Sequence, residues 1–116
     1  MTDTMGHFIK AVDLMGESKF SEAEQVLSEG MHLDPDNLDL YEALARLYDR
    51  TDQNEKGLAV CQQWMAKDAH NNMALSNLSV FYQKLGRIDD AELAKAQATT
   101  LFMKNMVAEA KRQKNG

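Results

Sequence analysis

An all-α fold, one helical unit written three times, is predicted by two features of the sequence. The first is a period of thirty-four residues: Tyr41, Leu44, Ala45 and Tyr48 return as Leu75, Leu78, Ser79 and Tyr82, and more faintly as His7, Lys10, Ala11 and Leu14. Ala23, Gly57 and Ala91 fall in the same register, as do Gly30, Trp64 and Ala98, and Asn37, Asn71 and Asn105 close the periods. No insertion interrupts the alignment, and a fixed period of this length is the mark of stacked supersecondary units. The second is composition: one proline and six glycines in 116 residues, with abundant Ala, Leu, Met, Glu, Lys and Gln and few β-branched residues, favour helix over sheet.

Each helix has its own signals. The first is expected from Thr4 to Gly16, where Phe8, Ala11, Val12, Leu14 and Met15 recur at three- and four-residue spacing. Ser21 with Glu24 reads as an S-x-x-E capping box opening the second helix, which runs through Ala23, Val26, Leu27 and Met31. Pro35 breaks it. The third spans Leu38 to Arg50, the fourth Glu55 to Lys67, and the fifth Met73 to Leu85, with Gly86 as a left-handed cap. Asp89 with Glu92 reads as the start of the sixth. The third inter-repeat loop would fall at Phe102-Met103-Lys104-Asn105, which lacks Gly, Pro and Asp. One helix from Asp89 to Lys111 or beyond is therefore expected, a separate short seventh helix being the alternative. Gln113 to Gly116 read as a frayed end. The repeats are placed at 4–37, 38–71 and 72–105 of a single domain, followed by a helical extension at 106–113.

Charge is segregated. Residues 1–60 hold thirteen Asp/Glu against five Lys/Arg, and residues 61–116 hold five against eight, so the halves carry −8 and +3. A net acidic chain with a short basic tail neutralises few phosphates, which argues against nucleic-acid binding. No N-terminal apolar run reads as a signal peptide or a membrane span. The lone Cys61 has no disulfide partner and falls where a helix buries it, so a reducing, cytoplasmic compartment is expected. His7, His32 and His70 lie on separate elements, too scattered for a four-donor zinc site or a catalytic triad. Neither a metal, a cofactor nor a catalytic residue is assigned. Asn77-Leu78-Ser79 matches a glycosylation sequon but falls mid-helix.

The pattern resembles the tetratricopeptide-repeat family over about Met5 to Met103. The resemblance rests on small residues where the helices of a pair approach closely (Ala11, Ala45 and Ser79 against Ala23, Gly57 and Ala91), on large neighbours (Leu14, Tyr48 and Tyr82; Phe20 and Ile88), and on Pro35. Departures are His7 and Lys10, where the family carries apolar residues, and Ala69 and Met103 in place of the turn proline. The resemblance implies a right-handed superhelix of three antiparallel helix pairs whose first helices line a concave, peptide-binding groove. Carried over position by position, the groove comprises Met5, Phe8, Val12 and Met15, then Glu42, Arg46 and Asp49 beside Asp39 and Ala43, then Met73, Asn77, Val80 and Gln83 beside Ser76. A subset of the family grips chaperone tails with a clamp of Lys, Asn and Arg. The matching positions here are Phe8, Val12, Ala43, Met73 and Asn77, none of them charged, so such a clamp is not expected.

The sixth helix carries Lys95 and Thr99 where the earlier second helices carry Leu27 with Met31 and Cys61 with Met65, which reads as a polar cap on the stack. Beyond it, Phe102, Met103, Met106, Val107 and Ala110 form an apolar stripe flanked by Lys104, Lys111, Arg112 and Lys114. The function expected is recognition of a protein or peptide in the groove. The alternative is assembly through the C-terminal stripe, with weak self-association.

Overall fold

The structure, a computed structural model, describes residues 3–115. Its helices are α1 (Met5–Gly16), α2 (Phe20–Leu33), α3 (Leu38–Arg50), α4 (Asn54–Lys67), α5 (Asn72–Lys84) and α6 (Ile88–Asn115), and the described residues contain no strand. They form three antiparallel pairs stacked as a right-handed superhelix. In the middle of the stack α3 packs against α1, α2, α4 and α5, whereas α6 packs against α5 alone.

Within each pair the turn is the same at three positions thirty-four residues apart. Ser18, Asp52 and Gly86 adopt left-handed backbone, with φ of 61°, 55° and 77°. The next residue's N–H reaches back to the helix: Lys19 to the Leu14 carbonyl at 2.8 Å, Gln53 to Tyr48 at 2.9 Å, and Arg87 to Tyr82 at 2.8 Å. This paired closure satisfies carbonyls that the helix end would leave open. It also starts the second helices immediately. Ser21 and Asp89 lie inside α2 and α6 rather than at their caps, and no side chain caps α2. Glu24, expected in a capping box, instead accepts the Tyr48 hydroxyl at 2.7 Å and lies 3.7 Å from Lys56 Nζ.

Between pairs, aspartate and asparagine divide the work. Asp34 and Asp68 end α2 and α4 in the same non-helical backbone, with φ of −142° and −146°. Asn37 then caps α3 by accepting the Asp39 N–H at 3.2 Å, and Asn71 caps α5 by accepting those of Met73 and Ala74 at 3.0 Å each. The loop after α2 also holds the start of α1, because Asn37 Nδ2 donates to the buried Thr4 hydroxyl at 2.7 Å.

At the third copy Phe102 replaces the aspartate, and the helix does not stop. A fourth first-helix folding back here would put Glu109 and Arg112 where α5 puts the buried Leu75 and Leu78, and burying two charges there is costly. They pair instead along one continuous α6. Gln113 to Asn115 therefore belong to that helix, not to a frayed end, and Gly116 lies outside the described residues. Since α2 and α4 each have 14 residues and α6 has 28, its last 14 outrun the repeat as an arm.

The core runs through the stack as one cluster, with Trp64, Phe81, Leu27, Leu40, Leu47 and Val60 fully buried. Helix crossings depend on small residues. The Phe81 ring lies directly over Gly57, and Leu40 and His7 close over Gly30.

Candidate binding surfaces

With α3 enclosed by four helices, the part of it left open is a narrow strip: Asp39, Arg46 and Arg50 are exposed, and Glu42 and Asp49 are half-buried. Arg50 turns aside to lie 5.2 Å from the Phe20 ring. The remaining strip is flanked by α1, which exposes Met5, Ile9 and Val12, and by α5, which exposes Met73 and Val80 with Asn77 half-buried between them. These positions follow the thirty-four-residue period, Met5 matching Asp39 and Met73, Ile9 matching Ala43 and Asn77, and Val12 matching Arg46 and Val80.

The sequence-derived residues divide on this geometry. Glu42, Arg46 and Asp49 lie on the open strip of α3, and Met5, Val12, Met73, Asn77 and Val80 lie on the two helices that flank it. Met15 is not open: it is 4% exposed and part of the core. Phe8 is half-buried against the same core. The cause is the stacking itself. Positions 8 and 15 of the first pair match Ser76 and Gln83 of the last, and those two are exposed because no further pair covers them. Ser76 and Gln83 therefore line, with Val80, Lys95, Thr99 and Phe102, an open depression of about 480 Å³ at the end of the stack. Sequence reasoning missed Ile9, which is 53% exposed; shifting Ala43 and Asn77 back by one and two periods points to it.

Acidic groups outnumber basic ones along the strip. Arg46 is paired with Glu42 at 3.1 Å on the same helix. Lys84 bridges from α5 to Asp49 at 2.5 Å and Asp52 at 3.5 Å, one ammonium between two carboxylates. The hydrogen bond to Asp49 raises the Lys84 pKa above its ordinary value. Asp39 forms no ion pair among the described residues. Apolar side chains at both flanks with a carboxylate-rich middle suit a ligand that is apolar and basic.

Burial pushes the Cys61 thiol up to about 12, which keeps it protonated and non-nucleophilic at neutral pH. No group of three His, Cys, Asp or Glu side chains is placed to hold a metal ion among the described residues. No helix among them is long and apolar enough to cross a membrane.

The C-terminal stripe lies on the arm. Phe102, Met103, Met106 and Val107 are 52 to 60% exposed, and Ala110 is exposed as well. α6 buries Ala91, Ala94 and Ala98, and at about 100° per residue Met103, Val107 and Ala110 project from nearly the opposite side of the helix. Beyond Phe102, which lines the depression at the end of the stack, the stripe does not fold back on its own stack.

Comparison with known proteins agrees with this architecture. The family profile described as tetratricopeptide repeat matches residues 14–74. No curated protein matches the chain. Among solved structures, the second TPR domain of Spaghetti (RPAP3) bound to the HSP90 peptide SRMEEVD is similar with a TM-score of 0.78 at 18% identity, over 84% of this chain and 91% of that one. MamA gives a TM-score of 0.85 at 17% identity, over 90% of this chain and 61% of its own. The Yersinia enterocolitica type III secretion translocator chaperone SycD, in a crystal form described as an alternative dimer, gives 0.81 at 14% identity, over 95% and 84%.

Proposed function

Because the chain belongs to the tetratricopeptide-repeat family, we propose that it is a protein-interaction module acting in the cytoplasm by non-covalent recognition, with no reaction of its own. The groove formed by α1, α3 and α5 receives a helical or extended protein segment. One observation carries this reading: the exposed large apolar residues Met5, Ile9, Val12, Met73 and Val80 flank a charged α3 strip at matching repeat positions. Their burial supplies affinity, and Arg46 and Asn77 orient the ligand from the floor. Gln83 extends the same face at the end of the stack.

The ligand is not a chaperone-tail carboxylate. The Spaghetti domain is bound to the HSP90 peptide SRMEEVD, but the family's clamp positions fall here on Phe8, Val12, Ala43, Met73 and Asn77, which supply no cation.

A second surface, the arm, is favoured as an assembly element by the half-exposed Phe102, Met103, Met106 and Val107, since monomers seldom leave a contiguous apolar patch of this kind open. Pull-down with folded variants separates the two. Loss of captured protein with Val12→Asp and Val80→Asp, and retention with Val107→Asp, is the expected result. The reverse pattern assigns partner binding to the arm.

A further inference from the structure

We infer that the two surfaces are halves of one contact: the C-terminal arm of one molecule is a ligand for the groove of a second copy. The inference rests on the groove reading and names its partner. Charge is the first argument. In residues 102–116 Lys104, Lys111, Arg112 and Lys114 stand against Glu109, a net +3, while residues 61–101 balance at four of each sign. All of the net positive charge is therefore on the arm, and all of the net negative charge lies in residues 1–60, which build α1, α2, α3 and the start of α4. The groove floor supplies surplus carboxylates in Asp39 and in the Asp49–Asp52 pair that shares Lys84.

Shape is the second argument. Fourteen helical residues make an arm of about 21 Å. Crossing α1, α3 and α5 spans two interaxial distances of roughly 8–10 Å each, so the arm is long enough to lie across all three. Met103, Met106 and Val107 then meet Met5, Ile9 and Val12 or Met73 and Val80, and flexible thioethers suit a contact that must fit an irregular floor.

Other occupants of the stripe fit less well. The molecule's own groove is out of reach, because α6 runs straight on from the far pair and packs on α5 alone. Two arms paired antiparallel about a two-fold axis bring like edges together. Lys104 and Lys111, seven residues apart on one edge of the stripe, would then face their own copies. An anionic lipid surface attracts the arm but repels a body that carries −8 over residues 1–101. Arm-in-groove contact is heterologous, so it adds molecules head to tail, into a filament or a ring.

Light scattering on the full chain tests this. At low salt the mean mass should rise with concentration past that of a dimer, and added salt should return it to the monomer. Lys104→Glu/Lys111→Glu/Arg112→Glu in the arm and, separately, Asp39→Lys/Asp49→Lys in the groove should each abolish the rise, with circular dichroism unchanged. Mixing the two charge-reversed proteins should restore growth past the dimer; a pair of arms, acidic against basic, would stop at a dimer and would be indifferent to the groove substitutions alone. A strict monomer at millimolar concentration, or no restoration on mixing, overturns the inference. So does a monomer whose arm binds anionic vesicles. A foreign protein captured by that monomer and lost on Val80→Asp would keep the groove reading while removing the second copy as its ligand. Failure of both would remove the groove reading too.

Discussion

A Cβ on Gly57 would stand 2.3 Å from Cε1 and Cζ of Phe81, far inside carbon contact distance. Gly57→Ala should therefore cost about 1–3 kcal/mol by overpacking, despite alanine's better helix propensity. One period earlier the same two positions hold Ala23 and Leu47, both fully buried. Adding Phe81→Leu should recover most of the loss, and urea melts of the two single variants and the double measure the coupling. The need for a small residue at 57 was legible in the sequence, because the repeat register predicts a tight crossing there. That a full ring covers it was not, since register says nothing of side-chain rotamer. Cys61 gives a second residue-scale test. Its thiol is raised from 9.0 to about 12 by burial, so the folded chain keeps a proton that the unfolded chain releases. Stability is unaffected below about pH 9 and falls as pH rises above it, by up to about 1.4 kcal/mol per pH unit. Tyr48, raised by burial and by its bond to Glu24, adds a loss of the same sign at higher pH. Chemical melts at pH 8 and 10 should show a smaller loss for Cys61→Ala than for the parent chain.

Three asparagines at one register position have three different environments. Asn71 caps α5 with two N–H bonds, Asn37 caps α3 and also holds Thr4, and Asn105 lies within α6. Asn71→Ala should lower stability by about 1 kcal/mol. Asn37→Ala should cost at least as much, since it also leaves the buried Thr4 hydroxyl without its donor. Asn105→Ala should be neutral or slightly stabilising, because alanine is the better helix former; thermal melts order the three. Helix count and order were readable from periodicity, as was the continuous sixth helix, from the absence of Gly, Pro and Asp at the third loop. The turns were less so. Glycine at 86 announced its left-handed backbone, but Ser18 and Asp52 adopt the same φ without the residue type that signals it. Sequence reasoning consequently set the second helices to start at the wrong caps. Solvent exposure was legible at Met5, Val12, Arg46, Met73 and Val80, and misread at Met15, where burial comes from the next pair in the stack.

For the molecule as a whole, each helix pair is held mainly by its neighbours, so protection should be graded along the stack. Hydrogen exchange in dilute solution should be slowest in α3 and α4 and fastest in the arm beyond Leu101, where the helix has no partner. Uniform protection through Lys114 would mean that the arm is covered within its own molecule. The position of the one tryptophan has a practical consequence for such work. Trp64 is 2% exposed, in the middle of the stack and on the fourth helix rather than the arm, so its emission is a spectroscopic gauge of stack integrity that ignores events at the C-terminus. A loss of its blue-shifted fluorescence signals melting, whereas rising turbidity or scattering at constant emission signals molecules joining while still folded.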